Sequence, residues 1–148
     1  MRVDVVMETV IDRPVAQVAG YAADPSNAPQ WYENIASVEW KTSPRLVVGS
    51  RIAFLARFLG RTLVYTYEIV ELAPGRKLVM RTAEGPFPME TTYTWEAAGD
   101  GKTRMTLRNR GEPRGFSALL APLMTIAIRR ANRKDLAMLK HLLERPAP

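Results

Sequence analysis

Residues 115–144 read GFSALLAPLMTIAIRRANRKDLAMLKHLLE, the one segment long and apolar enough to act as a spine. At about 100° per residue, Phe116, Leu119, Leu120, Leu123, Ala127, Ala131, Met138 and Leu142 fall in one broad sector. Arg129, Arg133, Lys140 and Glu144 fall opposite. The spacing predicts an amphipathic helix, with Met124, Ile128 and Leu139 continuing its apolar face. That face drifts in rotation along the helix, which predicts a bend. Pro122 has no N–H and clashes with the preceding turn. It either kinks the helix or opens a longer second segment, with residues 116–121 as a lead-in. A helix of about 22 residues from Pro122 spans roughly 33 Å, the width of a small domain.

Upstream, the period is mostly two. Residues 3–11 are rich in β-branched side chains and predict an edge strand with Val3, Val5, Met7, Thr9 and Ile11 on one face. Asp12 reads as the cap of a helix that has Pro14 in its first turn and runs to about Ala22. Asp24-Pro25-Ser26-Asn27 breaks it, and residues 27–32 predict a second short helix ending in Trp31-Tyr32. Six further strands follow at residues 35–42, 51–58, 61–72, 77–83, 89–97 and 103–110, separated by turn signals such as Leu59-Gly60 and Ala73-Pro74-Gly75. Short strands joined by tight turns pair as antiparallel hairpins. The order of elements predicts one α+β domain over residues 1–148, a curved antiparallel sheet of seven strands around the C-terminal helix.

Composition narrows the chemistry. The chain has 148 residues, no cysteine and one histidine. Disulfides and thiol catalysis are excluded and no ordinary zinc site can form, which predicts a reducing cytoplasm, no metal and no cofactor. The longest uncharged run, residues 115–128, is 14 residues long and too short to span a bilayer. The net charge is +6. Residues 101–148 carry 11 Lys/Arg against 3 Asp/Glu, so the basic excess is C-terminal. Arg129, Arg130, Arg133 and Lys134 cluster on the polar side of the long helix, either as a solvated face or as a contact for an anionic membrane surface. No aromatic ladder or recognition-helix pattern supports nucleic-acid binding.

The run Ile11, Pro14, Val18, Tyr21, Asp24-Pro25, Asn27, Pro29 and Trp31 resembles the opening signature of the polyketide cyclase/dehydrase and lipid-transport superfamily. That superfamily is similar in turn to the steroidogenic lipid-transfer (START) domains and the birch pollen allergen. Further matches are Tyr67-Glu68-Ile69-Val70-Glu71-Leu72 with Pro74 and Lys77-Leu78, residues 101–106, and Leu136, Leu139-Lys140 and residues 142–144. The resemblance implies a helix-grip fold with a ligand cavity between sheet and helix.

Strand faces bearing Phe54, Tyr65, Tyr67, Met80, Met89, Tyr93, Trp95, Met105 and Leu107 meet Leu120, Leu123, Met124 and Ala127 of the helix. Such an assembly is either a solid core or a pocket wall. Tyrosines stand out, since a buried phenol needs a partner that a ligand can provide. Thr91 and Asn109, in phase with apolar neighbours, are the polar positions expected to line a pocket. Trp31, Tyr32, Phe87 and Phe116 lie in or beside connections and are expected at its mouth. At about 24 cal/mol per Å³, an empty cavity of roughly 300 Å³ costs on the order of 7 kcal/mol, so ligand, water or collapse should fill it.

Catalytic signatures are sparse. His141 falls near the polar border of the helix, Glu68 and Glu90 face outward by alternation, and no nucleophile stands beside a base. The leading expectation is therefore a carrier or sensor for a lipid, polyketide or isoprenoid-like molecule. Charged replacements of Tyr93 or Leu123 are expected to abolish its binding. The alternatives are a cyclase or dehydratase working by confinement and a buried titratable group, and a lipid-exchange protein docking on membranes through its basic helix. Oligomeric state is not legible.

Overall fold

A computed structural model describes residues 2–58, 60–85, 87–113 and 119–146. Seven strands, β1 (Val3–Ile11), β2 (Ile35–Trp40), β3 (Arg51–Phe58), β4 (Arg61–Ala73), β5 (Lys77–Glu84), β6 (Met89–Ala97) and β7 (Thr103–Gly111), form one sheet. Its order is β1-β7-β6-β5-β4-β3-β2, and every neighbouring pair is antiparallel. Consecutive hairpins build six of the strands outward, and β1 closes on β7 in unbroken register from Val3 opposite Gly111 to Ile11 opposite Thr103. The β3–β4 hairpin has a two-residue loop in which Gly60 adopts φ 74°, a conformation that a side chain disfavours. Register shifts interrupt β4 against β5 at Thr66/Tyr67 and Ile69/Glu71, and such bulges raise the local twist. Arg51–Glu68 at 3.0 Å, Arg81–Glu90 at 2.6 Å and Arg108–Asp4 at 2.7 Å decorate the other face of the sheet. Each exposed pair adds no more than about 1 kcal/mol.

Between β1 and β2 stand α1 (Val15–Ala22), a 3₁₀ turn (Pro25–Asn27) and α2 (Ala28–Trp31). The N-cap of α1 is Pro14 and no side chain caps it, so Asp12 does not play that part. Asp12 instead gives its backbone N–H to Glu144 at 2.8 Å. Asp24 does cap, accepting the N–H of Ser26 at 2.9 Å.

The long helix, α3 (Ala121–Leu143), begins one residue before Pro122, so proline occupies the first turn, where a missing N–H costs nothing. Residues 116–118 of the expected lead-in over 116–121 lie outside the described residues. The helix's buried stripe is Ala121, Met124, Ile128, Asn132, Asp135, Leu136, Leu139 and Leu143. This corrects the sector drawn from sequence: Leu119, Leu120, Leu123 and Met138 are exposed, and Leu123 is 62% exposed. Lys140 and Glu144, placed opposite the core from spacing, tie the helix end to the β1–α1 connection. Lys140 Nζ donates to the Val10 carbonyl at 2.7 Å and pairs with Glu144 at 2.7 Å.

The helix packs on two separate apolar clusters. One surrounds Leu136, Leu139 and Leu143 with Ile11, Val18, Trp31, Met105 and Leu107. The other holds Val3, Val5 and Phe87 against Ala121, Met124 and Ile128. Asn132 and Asp135 lie along the helix between the two. Among the described residues, no helix is long and apolar enough to cross a membrane.

Candidate functional site

A cavity of about 180 Å³ opens where the two clusters part. From the helix it is lined by Met124, Ile128, Ala131, Asn132 and Asp135. The strand walls come from Phe54 and Ala56 on β3, Leu63, Tyr65 and Tyr67 on β4, Met80 on β5, Met89, Thr91 and Tyr93 on β6, and Asn109 on β7. Phe87 closes one side, and Tyr32, Asn34 and Ile35 contribute from the α2–β2 connection. Alternation along the strands sets this lining: residues two apart on β6, Met89, Thr91 and Tyr93, share the inner face. Gly85 lets the wall close up, because a Cβ there would stand 2.6 Å from the Tyr65 ring.

Most of the wall is apolar and the polar groups gather in one band. Thr91 Oγ1 donates to Asn109 Oδ1 at 2.6 Å, and Asn109 Nδ2 donates to Asn132 Oδ1 at 3.2 Å. The Tyr32 and Tyr93 hydroxyls hydrogen-bond each other. Trp31, 4.1 Å from the Tyr32 ring and 5.9 Å from that of Tyr93, packs behind this pair. Burial raises three of the four cavity phenols, Tyr32, Tyr67 and Tyr93, far above the usual tyrosine range, with neighbouring charge adding to the rise, and burial raises Tyr65 as well. They hold their protons at neutral pH.

Asp135 is 2% exposed. Its Oδ1 accepts the Glu33 backbone N–H at 2.9 Å, while burial pushes the carboxyl up to about 7. The hydrogen bond and Lys134 oppose that rise, and the Glu33 charge adds to it. Near neutrality the group is present both protonated and ionised, the condition for a general acid or base. Asp135 lines the same cavity as the phenol pair, and its charge helps to raise both tyrosines.

Of the residues singled out from sequence, Tyr32, Phe54, Tyr65, Tyr67, Phe87, Met89, Thr91, Tyr93, Asn109 and Met124 stand around this cavity. Trp31, Trp95 and Met105 do not line it; they are buried in the larger cluster as packing. Leu120 is the N-cap residue of α3, Leu123 points to solvent and Ala127 is half-buried away from the lining. The helical phase explains all three: the true inner stripe is rotated by about one residue from the predicted one. Phe116 lies outside the described residues. Arg129, Arg130, Arg133 and Lys134 are exposed, as is His141. Sequence reasoning missed Asn132 and Asp135. They follow Met124 and Ile128 at helical spacing and lead on to Leu139, a phase that would have placed both inside.

The fold has close counterparts among solved structures. The Zhui aromatase/cyclase from Streptomyces sp. R1128 is 16% identical, covers 98% of this chain and 95% of its own, and superposes with a TM-score of 0.84. A protein from Thermus thermophilus is 22% identical over 95% of this chain and 96% of its own, with a TM-score of 0.82. A START superfamily protein from Mycobacterium smegmatis is 14% identical over 95% and 97% of the two chains, also with a TM-score of 0.82. No curated protein sequence matches. The model of one family, described as polyketide cyclase / dehydrase and lipid transport, matches residues 2–144, and the chain belongs to that family.

Proposed function

We propose that the protein encloses an apolar small molecule bearing at least one oxygen function, of lipid, polyketide or isoprenoid-like character, between α3 and the sheet. The observation that carries this reading is the parting of the core at Asn132 and Asp135, with apolar walls around a polar band. At about 24 cal/mol per Å³, a dry cavity of this size would forfeit on the order of 4 kcal/mol. That is a large share of the roughly 5–15 kcal/mol that stabilises a domain, so a filled cavity is favoured. Native mass spectrometry of protein purified from its own host should release a stoichiometric apolar compound on denaturation. Ala131→Trp, which fills the cavity from the half-buried side of the helix, should lose that compound while keeping the wild-type circular dichroism. A wild-type protein that is reproducibly empty would count against a carrier.

Asp135 favours a second reading, a cyclase or dehydratase. A carboxyl poised near neutrality can take a proton from carbon beside a carbonyl and return it to a departing hydroxyl, which leaves as water. In that case Asp135→Asn should bind the substrate and not turn it over.

The outward side of α3 supports docking on an anionic membrane. Leu123, Ile126, Arg130 and Arg133 follow one another at helical spacing and are all exposed. The described ion pairs include none of Arg129, Arg130 and Arg133. At about 1 kcal/mol per basic residue near such a surface, replacing these three arginines with serine should weaken binding to phosphatidylglycerol vesicles roughly 100-fold. Wild-type binding should fall with salt. Equal partition into neutral vesicles would argue against this docking.

A further inference from the structure

The polar band of the cavity has a direction. Thr91 has one hydroxyl proton, and it goes to Asn109 Oδ1. That fixes the Asn109 amide with its Nδ2 towards Asn132, whose Oδ1 accepts. Each step uses one donor and one acceptor, so the series Thr91, Asn109, Asn132 ends on a donor. The last group, Asn132 Nδ2, has no partner among the described residues and is closed off from solvent, on a residue 3% exposed that lines the cavity. An amide left so costs about as much as a lost hydrogen bond. An acceptor for it can come from what occupies the cavity, an ordered water or a bound molecule.

We propose that Asn132 is a specificity-determining residue of the cavity: its free Nδ2–H donates to a carbonyl oxygen of the bound molecule. The cavity thereby selects apolar carbonyl compounds over hydrocarbons of the same shape. A carbonyl suits the position because it accepts without bringing a proton that would need a further acceptor. The inference rests on the cavity being a binding site, and it adds the functional group that the site recognises. The asparagine pair acts through position: Asn109 holds the Asn132 amide with its donor unspent, and Thr91 holds Asn109.

Two probes matched in size, 2-acetylnaphthalene and 2-ethylnaphthalene, separate the parts of this argument when titrated into the wild-type protein and into Asn132→Leu. The wild type should bind the ketone about tenfold more tightly than the hydrocarbon, the scale expected for satisfying one buried donor. Asn132→Leu should abolish that preference while still binding 2-ethylnaphthalene. In the wild type, the Asn132 side-chain amide proton should move downfield with the ketone and not with the hydrocarbon, a readout that stands even if the variant does not fold. Equal wild-type affinity for both probes, or a ketone preference surviving in Asn132→Leu, would overturn the role of Asn132 and leave the cavity reading intact. Failure of both probes to bind the wild type would overturn the cavity reading and this one with it.

Discussion

Leu139→Ala should lower the unfolding free energy by about 2–5 kcal/mol, whereas Leu123→Ala should change it by less than about 0.5 kcal/mol. Both are leucines on α3, and a sequence-based sector of apolar residues makes Leu123 the better core candidate. Leu139 is fully buried in the larger cluster with Trp31, Met105 and Leu107. Its truncation removes the transfer free energy of the side chain and leaves a cavity that a rigid sheet cannot close. Leu123 is mostly in water already and loses little. Urea unfolding of the two variants with an unchanged m value measures the contrast. Equal costs would mean that the rotation of the helix described above is wrong. The same rotation reverses an expectation drawn from the sequence, since a charge at Leu123 should leave cavity binding untouched.

Asp135→Asn should remove a pH dependence of stability worth about 2–3 kcal/mol between pH 5 and about 7.5. The ordinary carboxyl value is 3.8, and burial in the folded protein raises it to about 7. Between those values the folded state holds a proton that the unfolded state has released, so stability falls as pH rises through the window. The contribution is complete below about pH 4 and lost above about pH 7, at roughly 1.4 kcal/mol per unit. The groups that bear on Asp135 are Glu33, whose N–H it accepts and whose charge opposes its own, and Lys134, which draws its pKa down. The amide introduced by the substitution would keep an oxygen for the Glu33 N–H. Asp4 and Glu144, held low by Arg108 and by Lys140 with the Asp12 N–H, work in the opposite sense and at lower pH. They are common to both proteins and cancel in the difference. Wild type minus Asp135→Asn should therefore slope downward with pH, and a flat difference would mean that Asp135 is solvated.

The strands were almost fully legible, and the reason is physical. A half-buried strand must alternate, and each tight hairpin needs a glycine or proline at a fixed place, so β1, β3 and β6 begin and end where the pattern does. The phase of β6 likewise placed Thr91 and Tyr93 together. The helix was legible as a helix and illegible as a surface. Periodicity assigns polar residues outward, yet here the inner stripe carries Asn132 and Asp135 because that stretch borders a cavity. The outer side, in turn, carries Leu123, Ile126 and Met138. Both inversions pull the apparent apolar sector the wrong way. Trp31 and Trp95 pack in the larger cluster, and nothing in the sequence separates that from lining, because a large aromatic side chain looks the same there whether it faces a void or another ring.

The closing of the sheet by β1 against β7 also sets an order of events on the ribosome. Val3 pairs with Gly111, more than a hundred residues later. At roughly 5–20 residues per second, the first strand emerges about 5–20 s before its partner exists. During that interval an exposed strand of alternating valines is an aggregation hazard, and the hairpins from β2 to β6 can form without it. The nascent chain should therefore depend on chaperones until β7 has left the exit tunnel, and should become protease-resistant in one late step.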